Sequence, residues 1–140
     1  MTLGAHVSVP NYQRTIRQRY RMKACRCREC GLVLFPPKGA CPRCQSQALA
    51  EFALSGYGKV GTYTVIGQGG APPEFAELAR TLGSYVVAIV NLDEGPSVCG
   101  QVVDVNPGDV REGMRVRQVF RKLYVQEGVT RYGYKFRPVD

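Results

Sequence analysis

A nucleophilic cysteine or serine needs a base within hydrogen-bond reach, and histidine is the usual one. This chain of 140 residues has a single histidine, His6, in an irregular N-terminal stretch. No Ser/His/Asp set, no paired carboxylates in a cleft motif and no phosphate-cradling loop accompany it, and "GQGG" at 67–70 reads as a plain connection. A chain that is an enzyme on its own is therefore not expected. No apolar run approaches the roughly 18 residues needed to span a bilayer, so no membrane association is expected. "MTLGAHVSVP" lacks the basic flank and long apolar stretch of an export signal. The expectation is a cytoplasmic protein whose thiols stay reduced, a setting that favours metal ligation over disulfides.

Acidic residues are scarce in the first third. Residues 1–43 hold nine Lys/Arg against one acid, Glu29, whereas residues 44–140 hold ten of each sign. The whole formal charge of +8 thus belongs to the N-terminal third. Four thiolates around a divalent ion would lower it by two, and the remaining excess faces water or an anionic partner. At 44% hydrophobic and 21% charged, the composition is ordinary for a globular chain.

What is plentiful is cysteine, in one place. "CRCRECGLVLFPPKGACPRC" (25–44) carries five of the six. Cys27/Cys30 and Cys41/Cys44 have the spacing at which two sulfurs on one tight turn take neighbouring corners of a tetrahedron. Gly31 suits the positive φ expected after the first turn, and Pro42 stiffens the second; Gln45 stands where a second glycine would be more comfortable. The expected metal is one structural zinc per chain on Cys27, Cys30, Cys41 and Cys44. Iron of the rubredoxin type is the rival, although its two knuckles lie farther apart in sequence. With all four positions supplied by protein, no position stays open for water or substrate. Cys25 is too close to Cys27 to share its turn and is expected to be a free thiol or an occasional substitute ligand. Cys99, in "SVCGQVV", is expected to be a small buried hydrophobe.

Around this cluster the pattern changes. "NYQRTIRQRYRMK" (11–23) predicts a short helix capped by Asn11, with Tyr12, Ile16 and Tyr20 on one face. After residue 50, five segments rich in β-branched and aromatic residues predict strands at 57–67, 84–92, 97–105, 114–124 and 129–138. "DEGP" (93–96) joins two of them as a hairpin, and "PPEFAELARTLG" predicts one inserted helix starting at Pro73 and ending at Gly83. The expected fold is mainly β: an N-terminal arm and helix (1–24), a zinc ribbon (25–50), and a five-stranded OB-type barrel with one inserted helix (51–140).

"QRYRMKACRCRECGLVLFPPKGACPRC", "GKVGTYTVI", "YVVAIVNLDEG", "VREGMRV" and the closing "YGYKFRP" together resemble domain-of-unknown-function family 35, from about Tyr12 to Pro138. The resemblance implies an N-terminal helix and a rubredoxin-like zinc ribbon before an OB barrel. Cys27, Cys30, Cys41 and Cys44 match the family's zinc ligands, whereas Cys25 and the helix at 73–82 match nothing in its pattern. Members are non-catalytic partners of acyl-CoA enzymes encoded beside thiolases. Archaeal ones bridge an acetoacetyl-CoA thiolase and a hydroxymethylglutaryl-CoA synthase of the mevalonate pathway, and the "QRY" before the ribbon is most similar to these. Others accompany thiolase-like aldolases, hydratases or an acetyltransferase. The resemblance therefore implies a scaffold, with CoA held at an interface shared with the partner, where the phosphates would meet arginines of the first third.

The alternative is a single-stranded nucleic-acid binder, since OB barrels and zinc ribbons both serve that purpose and the pI is about 9.4. A groove that tracks a phosphate backbone should be basic, however, and the barrel half is neutral by count. Tyr132, Tyr134 and Phe136 alternate along one strand and are expected to be barrel packing. Tyr12, Ile16, Tyr20, Phe35 and Pro36 are the candidate partner contacts. The helical stripe is narrow, and a ribbon hairpin has little interior in which to hide an aromatic ring. The competing expectation is that these groups pack on the chain's own barrel.

Overall fold

The structure is a computed structural model that describes residues 9–126 and 128–139. His6 lies outside the described residues. The arm forms two short helices, α1 (Val9–Arg14) and α2 (Ile16–Arg21), instead of one. Thr15 separates them, and its neighbourhood supplies the reason. The Thr15 hydroxyl donates to the Tyr12 carbonyl, Arg19 donates to both Thr15 Oγ1 (2.8 Å) and the Tyr12 carbonyl (2.9 Å), and these side chains compete with the backbone ladder. Asn11 falls inside α1, so the helix begins two residues before the expected cap. Met22 ends α2 in the left-handed conformation at φ 46° and is fully buried.

The ribbon is a three-stranded antiparallel sheet in the order β2 (Val33–Leu34), β1 (Lys23–Cys27), β3 (Leu49–Ala53). β3 runs across the expected junction at residue 50, because Lys23↔Ala53 is still a paired position of β1. Beyond it come β4 (Tyr57–Gly67), α3 (Ala76–Leu82), β5 (Ser84–Leu92), β6 (Ser97–Val102), β7 (Arg115–Gln126) and β8 (Val129–Pro138). The five strands close in the order β4-β5-β6-β8-β7, with β7 returning to β4. All neighbours are antiparallel except β6 and β8, which meet in parallel at Val102 and Phe136. This is the OB-type closure. β6 stops three residues earlier than expected, ahead of Asp104 at φ 59° and the Asn106-Pro107 turn. The inserted helix starts with a tighter turn at Pro73–Phe75, and only Ala76–Leu82 is α-helical.

Alternation along the strands sends Val86, Ala88, Val90 and Leu92 of β5, Val98 and Val102 of β6, Val116 of β7 and Phe136 of β8 inward. Phe136 fills the space over Gly100, where a Cβ would lie 2.9 Å from its ring. At the closing seam Asp93, just after β5, accepts two bonds from Arg115 of β7, and its amide donates to the Tyr57 carbonyl of β4. Met22, Ala24 and Leu54 belong to the same buried cluster as the barrel valines, so arm, ribbon and barrel share one core. Burying such a side chain contributes about 1.5–3 kcal/mol, and this holds the small ribbon on the barrel.

Candidate metal centre

The two knuckles have the same backbone wiring. The Cys27 amide donates to the Leu32 carbonyl and the Gly31 amide to the Cys27 carbonyl, each at 2.9 Å. The Cys41 amide donates to the Ser46 carbonyl and the Gln45 amide to the Cys41 carbonyl, each at 2.8 Å. Both turns need a left-handed residue, Gly31 at φ 75° and Gln45 at φ 62°, so Gln45 takes without a glycine the conformation that Gly31 takes freely. These turns bring the sulfurs of Cys27, Cys30, Cys41 and Cys44 together, all within 4.8 Å of one another. Cys27 Sγ to Cys44 Sγ and Cys30 Sγ to Cys41 Sγ are 3.5 Å.

Zinc–sulfur bonds of about 2.3 Å at tetrahedral angles require sulfurs about 3.8 Å apart, so the cluster is close to the size that zinc demands. Its electrostatics agree. The Cys30 amide, directed at Cys27 Sγ, holds that thiol below its ordinary value. The Cys44 amide does the same for Cys41, down to about 6. Cys44 is stabilised as a thiolate by the Ser46 amide, yet the sulfurs of Cys27, Cys30 and Cys41 push it up to about 12. Four cysteine sulfurs held this close together are a donor set for a soft divalent cation. Cys25 stands apart from the four, buried in β1 opposite Leu34 and Glu51. Cys99 departs from expectation: it is exposed, because β6 turns Val98 and not Cys99 into the core.

The candidate partner contacts are largely engaged within the chain. Tyr12 and Tyr20 do share a face, with their hydroxyls 3.4 Å apart, and Ile16 is half-buried. That face is turned to the barrel: Tyr20 packs on Phe120 of β7, and Arg131 of β8 lies over the Tyr12 ring at 4.7 Å. Phe35 is half-buried against Tyr134, ring centroids 6.2 Å apart, and joins the edge of the shared core. Pro36 is exposed. The expected aromatic run divides in the same way. Phe136 is fully buried and Tyr134 partly so, whereas Tyr132 is at the surface, stacked on Phe120 at 5.6 Å.

One feature had no signal in the sequence. Where β6 and β8 separate below their contact at Val102 and Phe136, a groove of about 410 Å³ opens beside Val87, Cys99, Leu123 and Tyr134. Phe75, ahead of α3, covers one side, and Lys135 lines the groove although only 6% exposed. Burial pushes the Lys135 ammonium below its ordinary pKa, with Lys122 and Arg121 acting in the same direction. The alternation of β8 marks Lys135 as outward-facing, and nothing local shows that this position is buried. Walls of this kind are unlike the basic channel that tracks a nucleic-acid backbone.

A four-thiol ribbon sharing its core with a closed five-stranded barrel defines the zinc-ribbon plus OB-fold class. Residues 14–50 match the profile of the ChsH2 rubredoxin-like zinc ribbon domain, and residues 51–121 that of the ChsH2 C-terminal OB-fold domain. Over 91% of this chain and 88% of the relative, it is 43% identical to a DUF35 domain-containing scaffold protein of Methanocaldococcus jannaschii. A protein of the same description from Pyrococcus furiosus is 40% identical over 98% of this chain and 97% of its own length. The benzoylsuccinyl-CoA thiolase subunit BbsA of Thauera aromatica is 27% identical over 84% of this chain and 76% of its own. Among solved structures, the Ltp2-ChsH2(DUF35) aldolase superposes with a TM-score of 0.63 at 30% identity, covering 84% of each chain. The chain belongs to the DUF35 family.

Proposed function

We propose that this chain is a non-catalytic scaffold subunit of an acyl-CoA-processing complex. Its partner is a thiolase-fold enzyme, and in the finer reading it bridges a thiolase to a hydroxymethylglutaryl-CoA synthase in the cytoplasm. The observation that carries the reading is the four-sulfur cluster, closed by the protein's own ligands. Cys27, Cys30, Cys41 and Cys44 would hold one structural zinc that secures the ribbon on the barrel and does no chemistry on a substrate. Relatives matching nearly the whole chain are named scaffold proteins, and the more distant BbsA is named a thiolase subunit. The solved neighbour is named the Ltp2-ChsH2(DUF35) aldolase, a name that joins a DUF35 protein to Ltp2. CoA would bind at the seam with the partner, near the basic arm and ribbon, whose Arg28 and Arg43 are exposed on the two knuckles.

The test is affinity purification of the native protein, with the retained chains identified by mass, followed by assay of the separated chain. A thiolase-fold partner should be retained, a synthase with it, and the chain freed of both should turn over no acyl-CoA. Turnover that survives removal of every partner would overturn the scaffold reading. Retention of a thiolase without a synthase would remove the bridging step and leave the scaffold.

A further inference from the structure

The groove between β6 and β8 contains an electrostatic imbalance that the chain does not resolve by itself. Lys135 is 94% buried on its wall, counting from its 6% exposure, and among the described residues no carboxylate bonds to it. Two acids of the barrel are committed elsewhere: Asp93 to Arg115, and Asp104 to Arg121 and Arg137, and none of the groove's lining residues is acidic. The charged groups that act on Lys135 are Lys122 and Arg121, both cations. Arg19, reaching across from α2, also lines the groove, and its Nε is buried with no partner. A lysine largely withdrawn from water, with cations as its charged neighbours, is stabilised by an arriving anion.

We propose that this groove binds an apolar molecule ending in a carboxylate, with the carboxylate on Lys135 and the apolar body along Val87, Phe75 and Leu123. The volume of about 410 Å³ falls in the range of small-molecule sites. Walls with so few polar groups provide for one negative charge. A phosphate dianion would bring a second charge and more acceptor oxygens than one ammonium and a neighbouring guanidinium can satisfy. The proposal goes beyond the scaffold function and does not rest on it, because binding is measurable on the chain without any partner.

The experiment is calorimetric titration of the zinc-loaded full chain with decanoate, decanol and decyl phosphate. Decanoate should bind one per chain. Decanol, which keeps the apolar body and loses the charge, should bind about ten- to hundredfold more weakly, the range of one charge-assisted hydrogen bond. Lys135→Met should lose decanoate affinity by a similar factor while raising the melting temperature, a pairing that a merely structural lysine would not produce. Should that variant fail to fold, Gln101→Trp fills the groove from an outward position of β6, and loss of decanoate binding there supports the site. No binding of decanoate, equal binding of decanol, tighter binding of decyl phosphate, or undiminished binding by Lys135→Met or Gln101→Trp would each overturn the assignment.

Discussion

Tyr20 of α2 meets Phe120 of β7 edge to face, with ring centroids 5.0 Å apart and planes at 79°. Phe120 in turn stacks on Tyr132, so the N-terminal arm is tied to the barrel by an aromatic relay and not only by the buried core. Phe120 is still 48% exposed, which leaves the relay open to a partner that adds to it. The arm is therefore docked before any partner binds.

Tyr20→Ala should lower stability by about 1–3 kcal/mol, the loss of one aromatic contact plus partly buried area. Tyr20→Phe should keep most of it, since the ring and not the hydroxyl contacts Phe120. Thermal unfolding of the two variants decides this. If Tyr20→Ala melts like the parent while losing whatever partner the native protein retains on affinity purification, the ring is a partner contact and not a tether.

The metal centre makes a separate prediction. Elemental analysis should find one zinc per chain and a colourless protein, and chelation or Cys27→Ser should unfold the ribbon. Cys25→Ser should keep the metal, because Cys25 lies outside the four-sulfur cluster. Iron with visible absorbance, or zinc loss on Cys25→Ser, would refute the assignment of the four ligands.

The clamp at the barrel seam sets an acid limit. The paired bonds from Arg115 hold the Asp93 carboxyl below its ordinary value. A carboxyl with a depressed folded pKa contributes its stability in full above its unfolded pKa of about 3.9 and loses it as pH falls through the folded value. Asp93→Asn should therefore reduce stability at neutral pH and flatten the acid limb of the unfolding profile. Both groups are partly exposed, and the effect should be modest and weaker in high salt. Denaturant titrations between pH 2 and 7 measure both effects, and an unchanged acid limb would assign the limb to other carboxylates.

Gly100→Ala should be costlier than its size suggests. The added methyl would sit 2.9 Å from the Phe136 ring, at the strand pair that closes the barrel. Overpacking of this kind costs about 1–3 kcal/mol, readable as a lowered urea midpoint. Relief of the loss by Phe136→Leu in the double variant would confirm the clash as its cause, and simple additivity would refute it.

How much of this was legible beforehand depended on the range of the signal. The bounds of β4, β5 and β8 were readable because alternation and turn residues are local, and each strand follows them. Periodicity predicts one helix where the arm forms two, because the competing bonds of Thr15 and Arg19 depend on three-dimensional positions of side chains. Cys99 was expected inside because an apolar run does not reveal which of its members the register turns outward.

The metal knuckles lie at the other extreme. Their spacing alone determined the four-sulfur cluster, since a tight turn can place two sulfurs in only a few ways and the hairpin joins the pairs. Tertiary structure decided what the aromatics and Lys135 do. Tyr20, Phe35 and Lys135 all lie at positions where the local pattern predicts an accessible side chain, yet Phe120 and Tyr134 pack on the first two from far along the chain and Lys135 is buried on the wall of the groove. Burial of that kind arises from strands that meet only after the barrel closes, so no window of neighbouring residues contains it.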